Sequence, residues 1–168
     1  SLKALTSLDL SGNPGISDYS VLTMLPSLTE LDLSSCDLTD LSAVSALTEL
    51  TKLDVGDNPI EDFQHLAMLT KLEYLNLSET DIKDLSVLTG LTELMELNLY
   101  NNNISDISAL SDMVWLMKLT LHSNNIEDIS ALEGMLFMKE LNLCGNKISD
   151  ISPLYKLNDI TVLDLSYN

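Results

Sequence analysis

Acidic and hydroxyl side chains lie close together in the segment NKISDISPL, residues 146–154. Ser149, Asp150 and Ser152 supply oxygen atoms that could bind a metal ion or pair a nucleophilic hydroxyl with a carboxylate. The same aspartate recurs along the chain, at Asp18, Asp40, Asp62, Asp84, Asp106 and Asp128. Catalysis needs one unique constellation of base, orienting group and oxyanion site, so equivalent copies do not indicate an active site.

These aspartates are better explained as caps of short helical turns. A carboxylate just before such a turn accepts backbone N–H groups two or three residues further on. The partial positive charge at the start of the turn favours the carboxylate further. We therefore expect Asp106, Asp128 and Asp150, with their counterparts, to be structural residues.

The aspartates recur at one position of a sequence repeat, and the structure of that repeat determines where they lie. The repeat is 22 residues long, one copy has an extra residue at Gly15, and we number positions with Leu91 as position 1. Apolar residues occupy positions 1, 4, 7, 9, 14, 17 and 20, and position 7 is leucine in every copy. The pattern predicts a single array over residues 1–168, with seven complete repeats and a partial eighth.

The repeat predicts a short β-strand, a turn and a 3₁₀ segment. Leucines at positions 7 and 9 alternate with polar residues, as in a strand that buries one face. Position 12 is mostly asparagine, whose amide can bond the turn, and stacked repeats would align Asn58, Asn102, Asn124 and Asn146 in a ladder. Each repeat has one apolar side and must stack on its neighbours. The predicted fold is an α/β solenoid, a curved right-handed superhelix with a parallel sheet on its concave face and 3₁₀ segments on its convex face.

The repeat consensus resembles that of leucine-rich repeat proteins. LNLYNNNISDISALSD (residues 97–112) and LNLCGNKISDISPLYKL (residues 141–157) are similar to the bacterial internalin-like class. Eukaryotic phosphatase-regulator repeats share the length but less often carry ISDIS. The resemblance implies a module that binds a protein ligand, in a bacterial surface or secreted protein. A cytoplasmic regulatory scaffold of the phosphatase-regulator type is the alternative.

The resemblance also gives an expectation about the extent of the chain. Internalin-like proteins generally begin with a helical cap and end with an immunoglobulin-like domain. This sequence starts inside the array at Ser1 and stops inside a repeat at Asn168. Because a solenoid needs polar caps at its ends, we expect the chain to be a fragment of a longer protein.

The charge of the chain limits its partners. Asp and Glu number 26 against 8 Lys and Arg, a formal net charge of −18. This field repels phosphate groups, so we expect no binding to nucleic acid or to an anionic membrane surface. The sequence contains no run of about 18 apolar residues, so we expect no membrane insertion. The same charge would suit a basic protein partner.

Cysteine and histidine predict no further site. Cys36 and Cys144 lie five repeats apart, too far for a disulfide, and His65 and His122 have no partner at metal-ligand spacing. No calcium-loop motif occurs, although acids on neighbouring repeats could still share an ion. We predict no metal, no cofactor and no enzymatic activity.

The residues that differ between repeats form the candidate binding site. Positions 6, 8 and 10 alternate with the core leucines, so we expect them to face outward from the concave sheet. In the middle repeats they are Tyr74, Asn98, Tyr100, Lys118, Thr120 and His122. Aromatic residues on a polar sheet are typical of protein-binding hot spots, although isolated exposed aromatics are also common. Trp115, at position 3, is another apolar residue where this repeat class usually has polar ones.

These features predict a protein-interaction module. A purely structural spacer is the remaining alternative. The sequence predicts neither the identity of the partner nor the oligomeric state.

Overall fold

The computed structural model describes residues 2–168, and Ser1 lies outside the described residues. Eight parallel strands form one open sheet in sequence order. Their bounds are β1 Ser7–Asp9, β2 Glu30–Asp32, β3 Lys52–Asp54, β4 Tyr74–Asn76, β5 Glu96–Asn98, β6 Lys118–Thr120, β7 Glu140–Asn142 and β8 Val162–Asp164. The predicted leucine-rich repeat solenoid is confirmed.

The strands pair in one constant register. Leu53 of β3 pairs with Leu31 of β2 and with Leu75 of β4, so each position faces its own copy in the next repeat. The regular strand covers positions 6 to 8, whereas the leucine pattern predicts positions 7 to 9. The strand thus begins and ends one residue earlier, and the chain turns at position 11, where Ser35 has a positive φ of 53°. Backbone pairing still extends to this turn, since the Ser35 N–H donates to the Gly56 carbonyl at 3.0 Å.

Short 3₁₀ segments follow most of the turns, on the convex side of the array. They are η1 Ser20–Met24, η2 Gln64–Met68, η3 Leu85–Leu88, η4 Ser108–Leu110, η5 Ser130–Leu132 and η6 Ser152–Lys156. The repeat after β2 forms turns instead, and there the Ser45 N–H is shared between the carbonyls of Leu41 and Ser42, both at 3.3 Å. The convex segments therefore follow a similar backbone course in each repeat, but their hydrogen-bond pattern differs between repeats.

The core is a continuous column of aliphatic side chains between the sheet and the 3₁₀ segments. Position 7 leucines such as Leu53, Leu75 and Leu119 are fully buried. Methionine replaces leucine at three core positions, and Met113, Met135 and Met138 are fully buried as well. Stacking of the repeats thus removes the apolar side of each unit from water, and it holds the strand side chains of the concave face in fixed rows.

Candidate functional site

The asparagines at position 12 tie each repeat to the one before it. The Asn58 Nδ2 donates to the carbonyls of Leu33 and Val55 at 2.8 and 2.9 Å. Its Oδ1 accepts the N–H groups of Cys36 and Leu38, both at 2.9 Å. Equivalent amide contacts occur at the other buried positions of this row, at Asn102, Asn124 and Asn146. One amide therefore satisfies backbone groups of two repeats.

This row of amides is interrupted where position 12 is not asparagine. Thr80 donates its Oγ1 proton to the Leu77 carbonyl at 2.8 Å, but a hydroxyl does not reach back to the preceding repeat as an amide oxygen does. In that preceding repeat the Ile60 N–H bonds the Asn58 carbonyl instead, at 2.9 Å. Cys36 also replaces the asparagine. In the repeat before it, the Ile16 N–H likewise bonds a carbonyl of its own repeat, that of Asn13.

The aspartates at position 16 lie at the start of the convex segments. The Asp106 Oδ1 accepts the Ser108 N–H at 2.8 Å, and Asp128 and Asp150 make the same bond to the residue two further on, also at 2.8 Å. This backbone N–H bond is the main cause that holds the pKa of Asp106 below its usual value. All three aspartates are exposed, and their geometry is that of a structural turn.

Residues 2–168 contain no group of three or more His, Cys, Asp or Glu side chains arranged to hold a metal ion. Within the same part of the chain, the helices are all too short and too polar to cross a membrane.

Four of the predicted site residues surround one depression on the concave sheet. The depression has a volume of about 150 Å³, and Glu96 and Leu97 also line it. The four residues come from three neighbouring strands, β4, β5 and β6, and are Tyr74, Asn98, Lys118 and Thr120. The constant register brings them together, because residues 22 apart lie side by side in a parallel sheet.

Tyr74 lies at the edge of this depression between charged neighbours. Its register partners are Lys52 and Glu96, and the Lys52 Nζ lies 5.1 Å from the centre of the tyrosine ring. Partial burial, followed by the negative charges of Asp54 and Glu96, raises the pKa of Tyr74 to about 12. The phenol, like an ordinary tyrosine, is neutral at physiological pH and can donate a hydrogen bond.

Tyr100 and His122 form a stacked pair just beyond the carboxyl ends of β5 and β6. Their ring centres are 4.0 Å apart and the planes are inclined by 20°. Burial lowers the pKa of His122, while the charge of Asp164 opposes that shift. The His122 Nδ1 is buried and has no hydrogen-bond partner within residues 2–168. The pair thus presents a stacked aromatic surface, with the unpaired His122 Nδ1 beneath it.

Position 8 side chains also hold the backbone of position 10. The Asn98 Oδ1 accepts the Tyr100 N–H at 3.1 Å, and Asn76 makes the equivalent bond to Ser78. The sequence predicts Asn98 only as a surface residue of the binding site. Its structural bond fixes the start of the turn that carries Tyr100.

The first three strands present carboxylates instead of aromatic rings. Asp9, Asp32 and Asp54 occupy the same register position in β1, β2 and β3. Burial raises the pKa of Asp54, while hydrogen bonds from Asn76, whose Nδ2 contacts both carboxylate oxygens at 3.0 Å, oppose the increase. The concave face is thus acidic in its first repeats and aromatic in its middle repeats.

A second aromatic pair was only half recognised in the sequence. Trp115 stacks on Phe137, with ring centres 5.1 Å apart and planes inclined by 17°. Sequence reasoning singled out Trp115 but not Phe137. Comparing position 3 across all repeats would have found both, because the two residues lie at the same position of adjacent repeats.

Comparisons with known proteins agree with this architecture. A model for leucine rich repeats in two copies matches residues 26–68 and 70–112, and a single-repeat model matches residues 2–21. These matches cover more than half of the chain. No curated protein sequence matches it.

Solved structures of internalins are similar to the chain. An internalin, inlF, from Listeria monocytogenes str. 4b F2365 is 34% identical with a TM-score of 0.93, and the match covers 99% of this chain and 49% of that one. Internalin C2 from the same strain is 36% identical with a TM-score of 0.93, over 96% of this chain and 71% of that one. This chain thus spans about half the length of the inlF chain.

A more distant structure supports the fold alone. A leucine-rich repeat protein from Leptospira interrogans is 23% identical with a TM-score of 0.83, and the match covers 98% of this chain and 43% of that one. From its repeat matches and its internalin neighbours, the chain belongs to the leucine-rich repeat family, in the internalin-like class with 22-residue repeats.

Proposed function

We propose that this chain binds a protein ligand through the concave face of its sheet, with Tyr74, Tyr100 and His122 as the main contacts. The observation that carries the proposal is the Tyr100–His122 stack, which lies beside the depression lined by Tyr74. Leucine-rich repeat proteins are typically binding scaffolds rather than enzymes, and the Asp–Ser pairs of this chain are engaged in turns of its own backbone.

The chemistry of this surface suits a folded protein or peptide. Stacked rings give rigid contact area at a low cost in conformational entropy. Lys118 forms an ion pair with Glu140, at 3.3 Å, on the adjacent strand, so the polar groups around the rings are already ordered. A ligand that covers the rings could form its own polar contacts with Lys118, Glu140 and Asn98 at the border of the interface.

The acidic strands support a basic ligand. The carboxylates of Asp9, Asp32 and Asp54 lie in one row next to the aromatic repeats, and the whole chain carries a net charge of −18. Such a field attracts a cationic partner and speeds its association, an effect that salt screens.

The resemblance to internalins supports a place on the surface of a bacterium or outside it. A cytoplasmic regulatory scaffold is the competing proposal. Fractionation of the source cell with an antibody against the chain separates the two, since only the first predicts the protein in the wall or medium fraction.

A differential pull-down tests the binding face. The wild-type chain is compared with a variant carrying Tyr100→Ser and His122→Ser, which copies the serine present at position 10 in Ser34 and Ser78. A second variant, with Trp115→Ser and Phe137→Ser, removes a stacked aromatic pair away from the concave site and is the matched comparison. We expect one or more proteins captured by the wild type and by the control variant to be lost with the concave variant. If every captured protein binds the concave variant as well as it binds the wild type, the proposed site is wrong.

A further inference from the structure

A patch of four exposed apolar side chains lies at the opposite end of the strands from Tyr100 and His122. Trp115 and Phe137 occupy position 3 of adjacent repeats, in the turns that lead into β6 and β7, and are 50% and 48% exposed. Val114 and Leu136, at position 2, are 39% and 53% exposed. We call these four residues the rim patch. It is a surface separate from the concave site.

The fold does not require apolar residues at these positions. The other repeats have polar or small residues at positions 2 and 3, namely Lys3–Ala4, Pro26–Ser27, Thr48–Glu49, Thr70–Lys71, Thr92–Glu93 and Asn158–Asp159. The core next to the patch is already filled, because Met113, Leu116, Met135 and Met138 at positions 1 and 4 are fully buried. The rim patch is therefore an addition to the repeat rather than a part of its packing.

The borders of the rim patch are acidic. Glu93 and Asp159 occupy position 3 of the repeats on either side, and Asp112 comes directly before Met113. All three carboxylates are exposed, and none of them forms an ion pair within residues 2–168. Glu133 is engaged with Lys156 at 2.8 Å.

Charge decides between the possible occupants. A second copy of the chain would bring another net charge of −18 against the first, and an anionic lipid surface would be repelled in the same way. Lys139, exposed at position 5, lies two residues after Phe137, and it is outnumbered by the three exposed carboxylates at the borders of the patch. A cationic protein segment is the complementary partner.

We infer that the rim patch is a second docking site, for a protein segment in which an apolar side chain is flanked by Arg or Lys. The apolar side chain covers the Trp115–Phe137 stack, and the flanking cations pair with Glu93 and Asp159. Methionine at three of the four neighbouring core positions suits this role, because its flexible side chain adapts when a ligand presses on the surface.

The single tryptophan of the chain makes this surface directly measurable. The probe is a short synthetic peptide with a Phe-Leu centre and Arg residues on both sides, carrying a fluorescent label. One control peptide has the same centre between Glu residues, and another has a Ser-Ser centre between Arg residues. Binding is followed by the anisotropy of the label and, where Trp115 is present, by its emission.

We expect the Arg-flanked Phe-Leu peptide to bind the wild type, with a blue shift of the Trp115 emission. Binding should weaken by about tenfold or more in the Trp115→Ser/Phe137→Ser variant and for both control peptides, as expected for loss of a hot spot or of its charge partner. The Tyr100→Ser/His122→Ser variant should bind the peptide as the wild type does, so failure of the concave proposal leaves this result unaffected.

Three outcomes would overturn the inference. The first is no binding of the Arg-flanked peptide at any concentration at which it stays monomeric. The second is equal binding by the rim variant, and the third is equal binding of the Glu-flanked peptide. A shift from dimer to monomer in the rim variant, seen by sedimentation, would assign the patch to self-association and would also contradict it.

Discussion

Single residues in this chain have two kinds of role, which follow from whether they repeat. Residues that recur in most units bond the backbone, as Asn102 does when its Nδ2 donates to the Leu77 carbonyl at 2.7 Å and its Oδ1 accepts the Thr80 N–H at 3.0 Å. Residues that occur once or twice, such as Tyr100 and His122, leave ring surface available. Loss of a recurring residue should affect stability, and loss of a unique residue should affect binding.

Replacing Asn102 tests how much its side-chain amide contributes to stability. Asn102→Ala should destabilise the chain by about 1–3 kcal/mol, because the buried Thr80 N–H loses its acceptor and the Leu77 carbonyl keeps only the Thr80 hydroxyl. Asn102→Thr should cost less, since a hydroxyl at position 12 can keep one local carbonyl bond, as Thr80 does to Leu77, although the Thr80 N–H still loses its acceptor. Urea unfolding monitored by Trp115 fluorescence measures both. Equal losses in the two variants would contradict this account.

Sequence reasoning could assign the recurring residues but only part of the unique ones. A column of asparagines at a fixed spacing points to a turn amide, because that role depends on local backbone geometry. The stacking of Trp115 on Phe137 depends on side-chain packing across repeats, which no single repeat displays. For the same reason the sequence did not indicate that Asn98 bonds the Tyr100 N–H.

At the scale of an element, an aspartate lies one or two residues before each 3₁₀ segment. The Ser108 N–H, at the first residue of η4, donates to the Asp106 Oδ1. This bond satisfies a backbone donor that so short a segment cannot satisfy itself. The length of the segment matters less than this start, since the repeat after β2 keeps the same aspartate bond, at Asp40, without a regular 3₁₀ segment.

Removing this carboxylate should lower thermal stability. Asp106→Ala should reduce the melting temperature at neutral pH by about 2 to 4 °C, as for loss of one cap in a domain of this size. Asp106→Asn keeps an acceptor oxygen and should lose less. Peptide binding at the rim patch should stay unchanged in both variants, which calorimetry and anisotropy can check together.

The pH dependence of this effect follows from the pKa of Asp106. Because the folded state lowers that pKa below 3.8, the carboxylate contributes its stability above the unfolded pKa and loses it as the pH falls through the folded value. The difference in melting temperature between wild type and Asp106→Ala should therefore be largest at neutral pH and shrink below about pH 4. A difference that grows on acidification would be inconsistent with the bond.

At the scale of the whole molecule, the repeats are joined by three features: the sheet, the core and the amide row. The sheet runs without a break from β1 to β8, and the buried core extends from Leu22 to Leu157, with Leu8 and Leu165 partly buried at its ends. The amide row has breaks before Cys36 and before Thr80, where Ile16 and Ile60 bond locally. The fold as a whole was predictable because a strict period repeats one local pattern. The breaks in the amide row were not predictable, because they depend on which backbone carbonyl accepts the Ile16 and Ile60 N–H groups when no asparagine oxygen is present.

The break before Thr80 should be visible in hydrogen exchange. Amides of β1 to β3 should exchange faster than those of β5 to β7, because fewer side-chain bonds join the first repeats to the rest. Thr80→Asn should slow exchange in β3, since a new amide oxygen could accept the Asn58 and Ile60 N–H groups. Mass spectrometry of exchanged fragments measures both effects. Uniform exchange, with no response to Thr80→Asn, would show that the sheet and core alone set the cooperativity.

The constant register has a consequence for how such a chain can change over generations. Removal of residues 91–112 by recombination would bring β4 beside β6 with leucine still facing leucine, because every repeat presents the same positions to its neighbour. The fold would tolerate the loss, but Tyr100 would be lost from its stack on His122, and Glu93 would no longer border the rim patch. Folding thus does not fix the number of repeats. Binding surfaces that include residues of two adjacent repeats do limit which repeats can be lost.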